Sequence, residues 1–352
     1  ARLRRDVGAG STLGTLLTWR RFPGRENVLA SADGRFQLGP ATVLNVQGAG
    51  SWTRTATTGS GWSPGRAGAG YRVSASRQGR HFTVGVNADG RSPLYAADLG
   101  YTAQAAVMNW SVDTRYDSEP RPERTLISWS LLHTGLAQND WQGRMKYAYT
   151  YPGLELAFAR QTKLTVRAFA DYVRLLEEEF DTVFLGSPQR RTVYSGYSAQ
   201  VDATPSKAWS GSLAVSHSWN TFDYDFGAGP RYPRVSPAAL TDPDAERDPG
   251  PAASAYYQGR LEWKPAEALR GSISYTRSRM VRNDTRRLAF DQGLYTLQAT
   301  VQVSRSGFCR LRADFDSLQS RVHGQVLAGW TPSPGTAVYF GYDDDWRRDG
   351  FN

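Results

Sequence analysis

Twelve charged side chains sit at alternate positions within otherwise apolar or hydroxyl-rich segments: Arg72, Asp113, Arg144, Lys146, Arg167, Asp171, Arg260, Glu262, Arg310, Arg312, Asp314 and Asp316. A spacing of two puts successive charges on one face of an extended strand. Such a face can pair charges across strands, or line a polar passage and tune which ions enter it. Seven of the twelve are cationic and five anionic, so a passage of this kind is expected to prefer anions weakly. A second acidic set, Asp242, Asp244, Glu246 and Asp248, alternates within a loop. Carboxylates at that density can supply oxygen ligands to calcium. Pro243 interrupts them and a loop glycine is missing, so a solvated loop is the better reading. No cofactor is expected.

Catalytic signatures are weak. Gly61-Trp62-Ser63-Pro64-Gly65 has the letters of a nucleophile elbow, but that turn needs a backbone N–H after the serine for its oxyanion hole. Pro64 has none. The four histidines, His81, His133, His217 and His323, show no metal-ligand spacing. An outer-membrane hydrolase is therefore kept only as an alternative, requiring a Ser–His or Asp–His pair assembled by the fold. Cys309 is the sole cysteine, which excludes an internal disulfide and favours a small packing residue over a nucleophile. The chain is expected not to be an enzyme.

Period-two alternation runs from end to end and identifies strands as the elements that carry these residues. Tyr256, Gln258, Arg260 and Glu262 alternate with Ala255, Tyr257, Gly259, Leu261 and Trp263. Arg310, Arg312, Asp314 and Asp316 alternate with Leu311, Ala313 and Phe315, and Gln142, Arg144, Lys146 and Thr150 with Met145, Tyr147, Tyr149 and Tyr151. Most segments run to roughly 9–11 residues, the length a tilted strand needs to cross a bilayer core. No helix is expected: Asp171 to Phe180 reads as a strand running out into a loop. Tight turns rich in Gly or Pro, such as Pro152-Gly153 and Ser333-Pro334-Gly335, contrast with one long polar loop over 226–253. Trp19, Trp52, Trp110, Trp141, Trp219, Trp263 and Trp330 fall near strand ends, where amphipathic rings suit a membrane interface.

The expected architecture is a transmembrane antiparallel β-barrel of about 16–18 strands, with a polar lumen and an apolar outer belt, spanning 1–352 as a single domain. A mean hydropathy of −0.52 does not oppose this, because only alternate residues of a barrel strand face lipid. The net charge of +9 comes from arginines scattered along the chain with very few lysines, and no basic block marks a nucleic-acid surface. Nucleic acid is not an expected partner; the lipid of a Gram-negative outer membrane is. The first residues, Ala1 to Asp6, lack the apolar core of a signal peptide, and the expectation is the C-terminal part of a longer protein.

Three stretches resemble the C-terminal barrel of an uncharacterised bacterial outer-membrane family, domain-of-unknown-function family five-nine-one-six: ARLRRDVGAGSTLGTLLTWRR at residues 1–21, NVLASADGRF at 27–36, and CRLRADFDSLQSRVHGQVLAGWTPSPGTAVYFGYDDD at 309–345. The resemblance implies an outer-membrane location and an N-terminal carbohydrate-binding-module-9-like partner domain. It supplies no catalytic residues. Asp343 to Asn352 reads as a tail after the final strand. The expected function is porin-like or transport-related passage of solutes. The alternative is a plugged barrel that anchors or docks a partner domain or a periplasmic or extracellular protein.

Overall fold

The computed structural model describes residues 1–57, 61–100, 104–180, 182–333 and 335–347. Eighteen strands form one antiparallel sheet, as expected of this fold class. Helix among the described residues amounts to a single 3-10 turn at Glu177–Glu179 and the short α1 (Pro237–Thr241). None is long and apolar enough to cross a membrane.

The chain divides into two compact units. The first comprises Ala1–Glu119, Ser130–Pro152 and Asp171–Arg174. It holds β1 (Arg2–Asp6), β2 (Thr12–Phe22), β3 (Arg25–Gln37), β4 (Thr42–Thr55), β5 (Arg66–Gln78), β6 (Phe82–Arg91), β7 (Val107–Asp117) and most of β8 (Leu126–Asp140), each paired antiparallel with the next. The second comprises Pro120–Trp129, Gly153–Ala170 and Leu175–Asn352. It holds β11 (Gln189–Ser206), β12 (Trp209–Asp223), β13 (Gly250–Ala266), β14 (Leu269–Arg282), β15 (Leu288–Gln302), β16 (Gly307–Asp316), β17 (Arg321–Ser333) and β18 (Thr336–Arg347), again paired in order. Strands β9 (Met145–Phe158) and β10 (Thr162–Leu176) contribute residues to both.

Register sorts the side chains of each unit into two faces. In the second unit, Leu213, Gly259 and Tyr275 lie abreast on one face, followed by Tyr295, Phe315 and Val322. This apolar face is exposed: Leu213 is 57% accessible and Phe340 74%. In the first unit Leu13, Leu17, Trp19, Val46, Val73 and Trp110 share the corresponding face, and Trp19 is 64% accessible. Among the described residues the buried apolar side chains are few, and several sit in or beside loops: Phe184, Phe222, Val235 and Ala239. A soluble sandwich of this length buries its apolar faces against protein. Here they are turned outward.

Pro152-Gly153, expected as a tight turn, lies inside β9, and the long loop and the C-terminal acidic run also differ from expectation. The long loop runs from Tyr224 to Pro249, because Gly250 to Ala253 already pair in β13. Asp343, Asp344 and Asp345 are no tail but lie inside β18, paired with Gln325, Gly324 and His323. A triple aspartate reads locally as a solvated end. Cross-strand pairing outweighs that preference, because the flanking charges Arg321 and His323 meet it. In the turn at 333–335, Pro334 lies outside the described residues.

Candidate functional site

On the polar face of the second unit, register lines up three rows across adjacent strands. Arg270, Thr300 and Arg310 form the row nearest the short turns. Next come Glu262, Ser272, Gln298, Arg312, Gln325 and Asp343, then Arg260, Ser274, Thr296, Asp314, His323 and Asp345. A groove of about 380 Å³ opens here, lined by Arg260, Glu262, Arg270, Ser272, Gln298, Thr300, Arg310, Arg312 and Gln325. Arg260 is ion-paired with Glu262 at 2.6 Å and Arg312 with Asp314 at 2.6 Å. Thr296 donates to Asp314 at 2.6 Å, and Gln292 to Asp316 at 3.1 Å. The expected charges of β13 and β16 are therefore gathered on one face, and four of the six, Arg260, Glu262, Arg312 and Asp314, pair with a neighbour two residues away. Arg270, which the same alternation on β14 marks, belongs with them.

In the first unit, Arg72 and Asp113 also lie on the polar face, Arg72 abreast of Gln47 and Asp89, Asp113 abreast of Gly85 and Thr134. The segment from Ser92 to Gly100, between β6 and β7, folds onto this face. Arg25 clasps Asp98 with two hydrogen bonds, 2.6 and 2.8 Å, and Arg20 donates to the Asp98 carbonyl at 3.0 Å. The buried Asn27 donates to Ala96 O at 3.1 Å and accepts from Asp98 N, while Ser51 Oγ accepts from Ala96 N. Nothing in the local pattern of residues 92–100 announces this, and it depends wholly on which strand the loop meets.

Strand β9 reverses the expected assignment. Tyr147 and Tyr151 both donate to buried Asp171, at 2.9 and 2.8 Å. Thr150, on the alternate set with Lys146, meets His133 at 2.9 Å, and His133 shares the apolar face with Thr114 and Val84. The sequence placed Lys146 on the polar side because tyrosine counts as apolar. Its hydroxyl lets it face either way. Arg144 lies in the turn after β8, bound to Asp140 at 2.7 Å, and Arg174 reaches the same carboxylate at 3.1 Å. Arg167 shares the set of Asp171 on β10, beside Gly153.

The tryptophans divide by face and by end. Trp19, Trp52 and Trp110 lie on the exposed apolar face of the first unit; Trp141 lies in a turn, half-buried. Trp19 donates to Glu26 at 2.8 Å, and Arg54 holds the other oxygen of that carboxylate at 2.6 Å. In the second unit, Trp209 and Trp219 stand on the same apolar face at opposite ends of β12, with Trp209 paired to Trp263 across the strands. Trp330 and Trp346 extend the set on β17 and β18. Ten residues at roughly 3.3 Å each, tilted by about 40°, span roughly 25 Å, the height of a barrel's lipid-facing band. Above Tyr275, Tyr295 and Phe315 the same face turns charged, with Arg277 clasping Asp291 at 2.6 Å.

The long loop between β12 and β13 is ordered by buried charge. Arg282, 1% accessible, meets Asp223 at 3.2 Å and Asp284 at 2.9 Å, and donates to Asp248 O at 2.7 Å. Asp225, fully buried in its side chain, accepts from Arg234 at 2.8 Å and from Ser236 at 2.9 Å. Ser236 in turn caps α1 by accepting from Ala239 N at 3.1 Å. The calcium candidates do not converge. Asp248 turns to Arg282 and Arg190, Asp242 caps Asp244 N, and the Glu246 carbonyl accepts from Arg234. Among the described residues no group of three or more His, Cys, Asp or Glu side chains is arranged to hold a metal.

His81 pairs with Glu119 at 2.9 Å and His323 with Asp345 at 3.0 Å. Among the described residues neither is hydrogen-bonded to a serine or threonine hydroxyl, and His133, which does meet Thr150, is bonded to no carboxylate. Among the described residues the structure thus holds two His–acid pairs.

No protein-family model matches the sequence, and no curated protein matches it. Among solved structures the chain is similar to the siderophore receptor PirA from Pseudomonas aeruginosa, at 10% identity over 97% of this chain and 72% of that one, with a TM-score of 0.39. It is similar to the copper transporter OprC at 9% identity over 92% and 62% of the two chains, TM-score 0.44. It is also similar to the ferric yersiniabactin uptake receptor FyuA from Yersinia pestis, at 8% identity over 98% and 68%, TM-score 0.43.

Proposed function

We propose that this chain is an outer-membrane β-barrel whose polar sheet face lines a passage for small solutes, with a weak preference for anions. The observation that carries the reading is the outward apolar face, bounded on β12 by Trp209 and Trp219 and grading into charge beyond Tyr275 and Tyr295. Large apolar side chains exposed in such continuity need an apolar solvent. A sheet in lipid must also pair its edges, which closure achieves. The polar face supports passage: its arginines remain accessible, and the groove they line is cationic, with four arginines against Glu262.

The test is planar-bilayer conductance of the refolded chain under a salt gradient. Stable unitary steps with a reversal potential of anion sign support the proposal. Equal or greater cation permeability refutes the anion preference. Absence of steps, from chain whose insertion is established by protease protection, refutes passage.

A second reading is supported by the segment from Ser92 to Gly100, latched onto the polar face by Arg25 and Asn27. In this reading the barrel is plugged and serves as an anchor or docking subunit. Its partner would be a domain such as the carbohydrate-binding-module-9-like one implied by the family resemblance of the terminal segments. Chain that inserts without conducting favours it.

A further inference from the structure

We infer that the turn-side end of the polar face in the second unit is a binding subsite for a small tetrahedral oxyanion, phosphate or sulfate, held between Arg270 and Arg310. The inference deepens the passage reading and rests on it only for the subsite's role in transport.

The arginines of this one groove differ in their partners. Arg260 and Arg312 each have a carboxylate, Glu262 and Asp314, at 2.6 Å. Arg270 and Arg310 have none among the described residues, although they stand on either side of Thr300 in the same row. Two strand spacings separate their backbones by about 10 Å, a gap that two extended arginines close from opposite sides. Arg310 is braced from its own strand by Phe308, whose ring centre lies 5.8 Å from the guanidinium carbon. Two unpaired like charges set around one hydroxyl repel each other, and an anion between them removes that cost.

The remaining donors suit an oxyanion. Thr300 stands between the two arginines in register and lines the groove, and Gln298 and Ser272 stand in the adjoining row. Each guanidinium offers a planar fork of parallel N–H donors. Two forks approaching from strands on opposite sides of Thr300 address different pairs of oxygens, which a tetrahedral oxyanion presents and a planar carboxylate does not. Glu262 is the one carboxylate lining the groove, and its bond to Arg260 reduces its repulsion of a bound anion.

The test uses the full chain refolded in detergent, titrated calorimetrically with sodium phosphate, sodium sulfate or sodium acetate at matched, low ionic strength. Phosphate and sulfate are expected to bind at least about tenfold more tightly than acetate, and the double substitution R270Q/R310Q to weaken them about tenfold or more. Arg279→Gln, on the apolar face, is the charge-matched control and is expected to change nothing. Each single substitution, Arg270→Gln and Arg310→Gln, is expected to weaken binding measurably, so the test survives poor refolding of the double variant. Wild-type chain that binds no phosphate, or binding unchanged in the folded variants, overturns the subsite. Acetate binding as tight as phosphate overturns the tetrahedral assignment. Conductance without phosphate binding refutes the subsite and leaves the passage standing; phosphate binding in chain that does not conduct does the reverse.

Discussion

Arg25 and Asp98 stand seventy-three residues apart in sequence and meet through two hydrogen bonds, Nε to Oδ2 at 2.6 Å and Nη2 to Oδ1 at 2.8 Å. Arg25 opens β3, whereas Asp98 belongs to the connection between β6 and β7. The pair holds the segment from Ser92 to Gly100 on the polar face, and Asn27 and Ser51 hold its backbone at Ala96 and Asp98.

Arg25→Gln or Asp98→Asn is expected to loosen that connection while leaving the sheet intact. The pair is partly open to solvent, with Arg25 45% accessible, so its loss costs about 1 kcal/mol or less. Limited proteolysis reads the effect as faster cleavage within 92–100. If the passage reading holds, unitary conductance rises as well. Unchanged cleavage in both variants sinks the latch.

The latch also depends on pH. The hydrogen bond from Arg25 holds the Asp98 carboxyl below its ordinary range, against the opposing effect of partial burial. A carboxyl depressed in the folded state contributes fully above its unfolded value of about 3.9, and the contribution is lost as pH falls through the lower folded value. Amide exchange over 92–100 is therefore expected to accelerate only below about pH 4, and Asp98→Asn to remove that dependence. An opening midpoint near neutrality contradicts the assignment.

Arg282 is the residue whose loss should cost most in the second unit. Arg282→Met leaves Asp223, Asp284 and Asp248 without their shared cation in a buried site. Breaking such a cluster from one side costs about 3–5 kcal/mol. The expected result is a lower Tm and rapid cleavage between 224 and 249, measured in detergent. A variant as stable as the parent shows the cluster to be a passive consequence of loop packing.

Position along β12 should set the cost of a charge. Leu213→Arg, between Trp209 and Trp219 on the apolar face, is expected to cost about 2–4 kcal/mol in refolding into lipid vesicles, whereas arginine near either tryptophan costs about 1 kcal/mol or less. Urea-dependent refolding into vesicles measures both. Equal costs at centre and ends contradict a lipid-facing band.

Gly271 gives the belt a steric test. A methyl group there would fall within 2.2 Å of the Trp263 indole, which covers this glycine. Gly271→Val is expected to displace the ring, shift tryptophan emission and slow refolding. Gly259→Ala, where the nearest side chain atom is 4.0 Å away, is the matched control and should refold as the parent does.

The alternation of residue types was sufficient, by itself, to establish strands, their approximate number and the composition of their two faces. Period two maps onto faces locally, whatever the strand pairs with, so Leu311, Ala313 and Phe315 had to part from Arg310, Arg312 and Asp314. Tertiary structure decided what local period does not contain. Register between β14, β15 and β16 put Arg270 and Arg310 astride Thr300, and pairing with β17 drew Asp343 and Asp345 into a strand. Contact with Asp171 chose the polar side for Tyr147 and Tyr151, residues whose rings and hydroxyls suit either solvent. Asp98 acquired its place from Arg25, and Asp248 its partner from Arg282 in place of a metal. Each outcome is a pairing between segments distant in the chain, and its free energy exists only once the sheet has brought the two together.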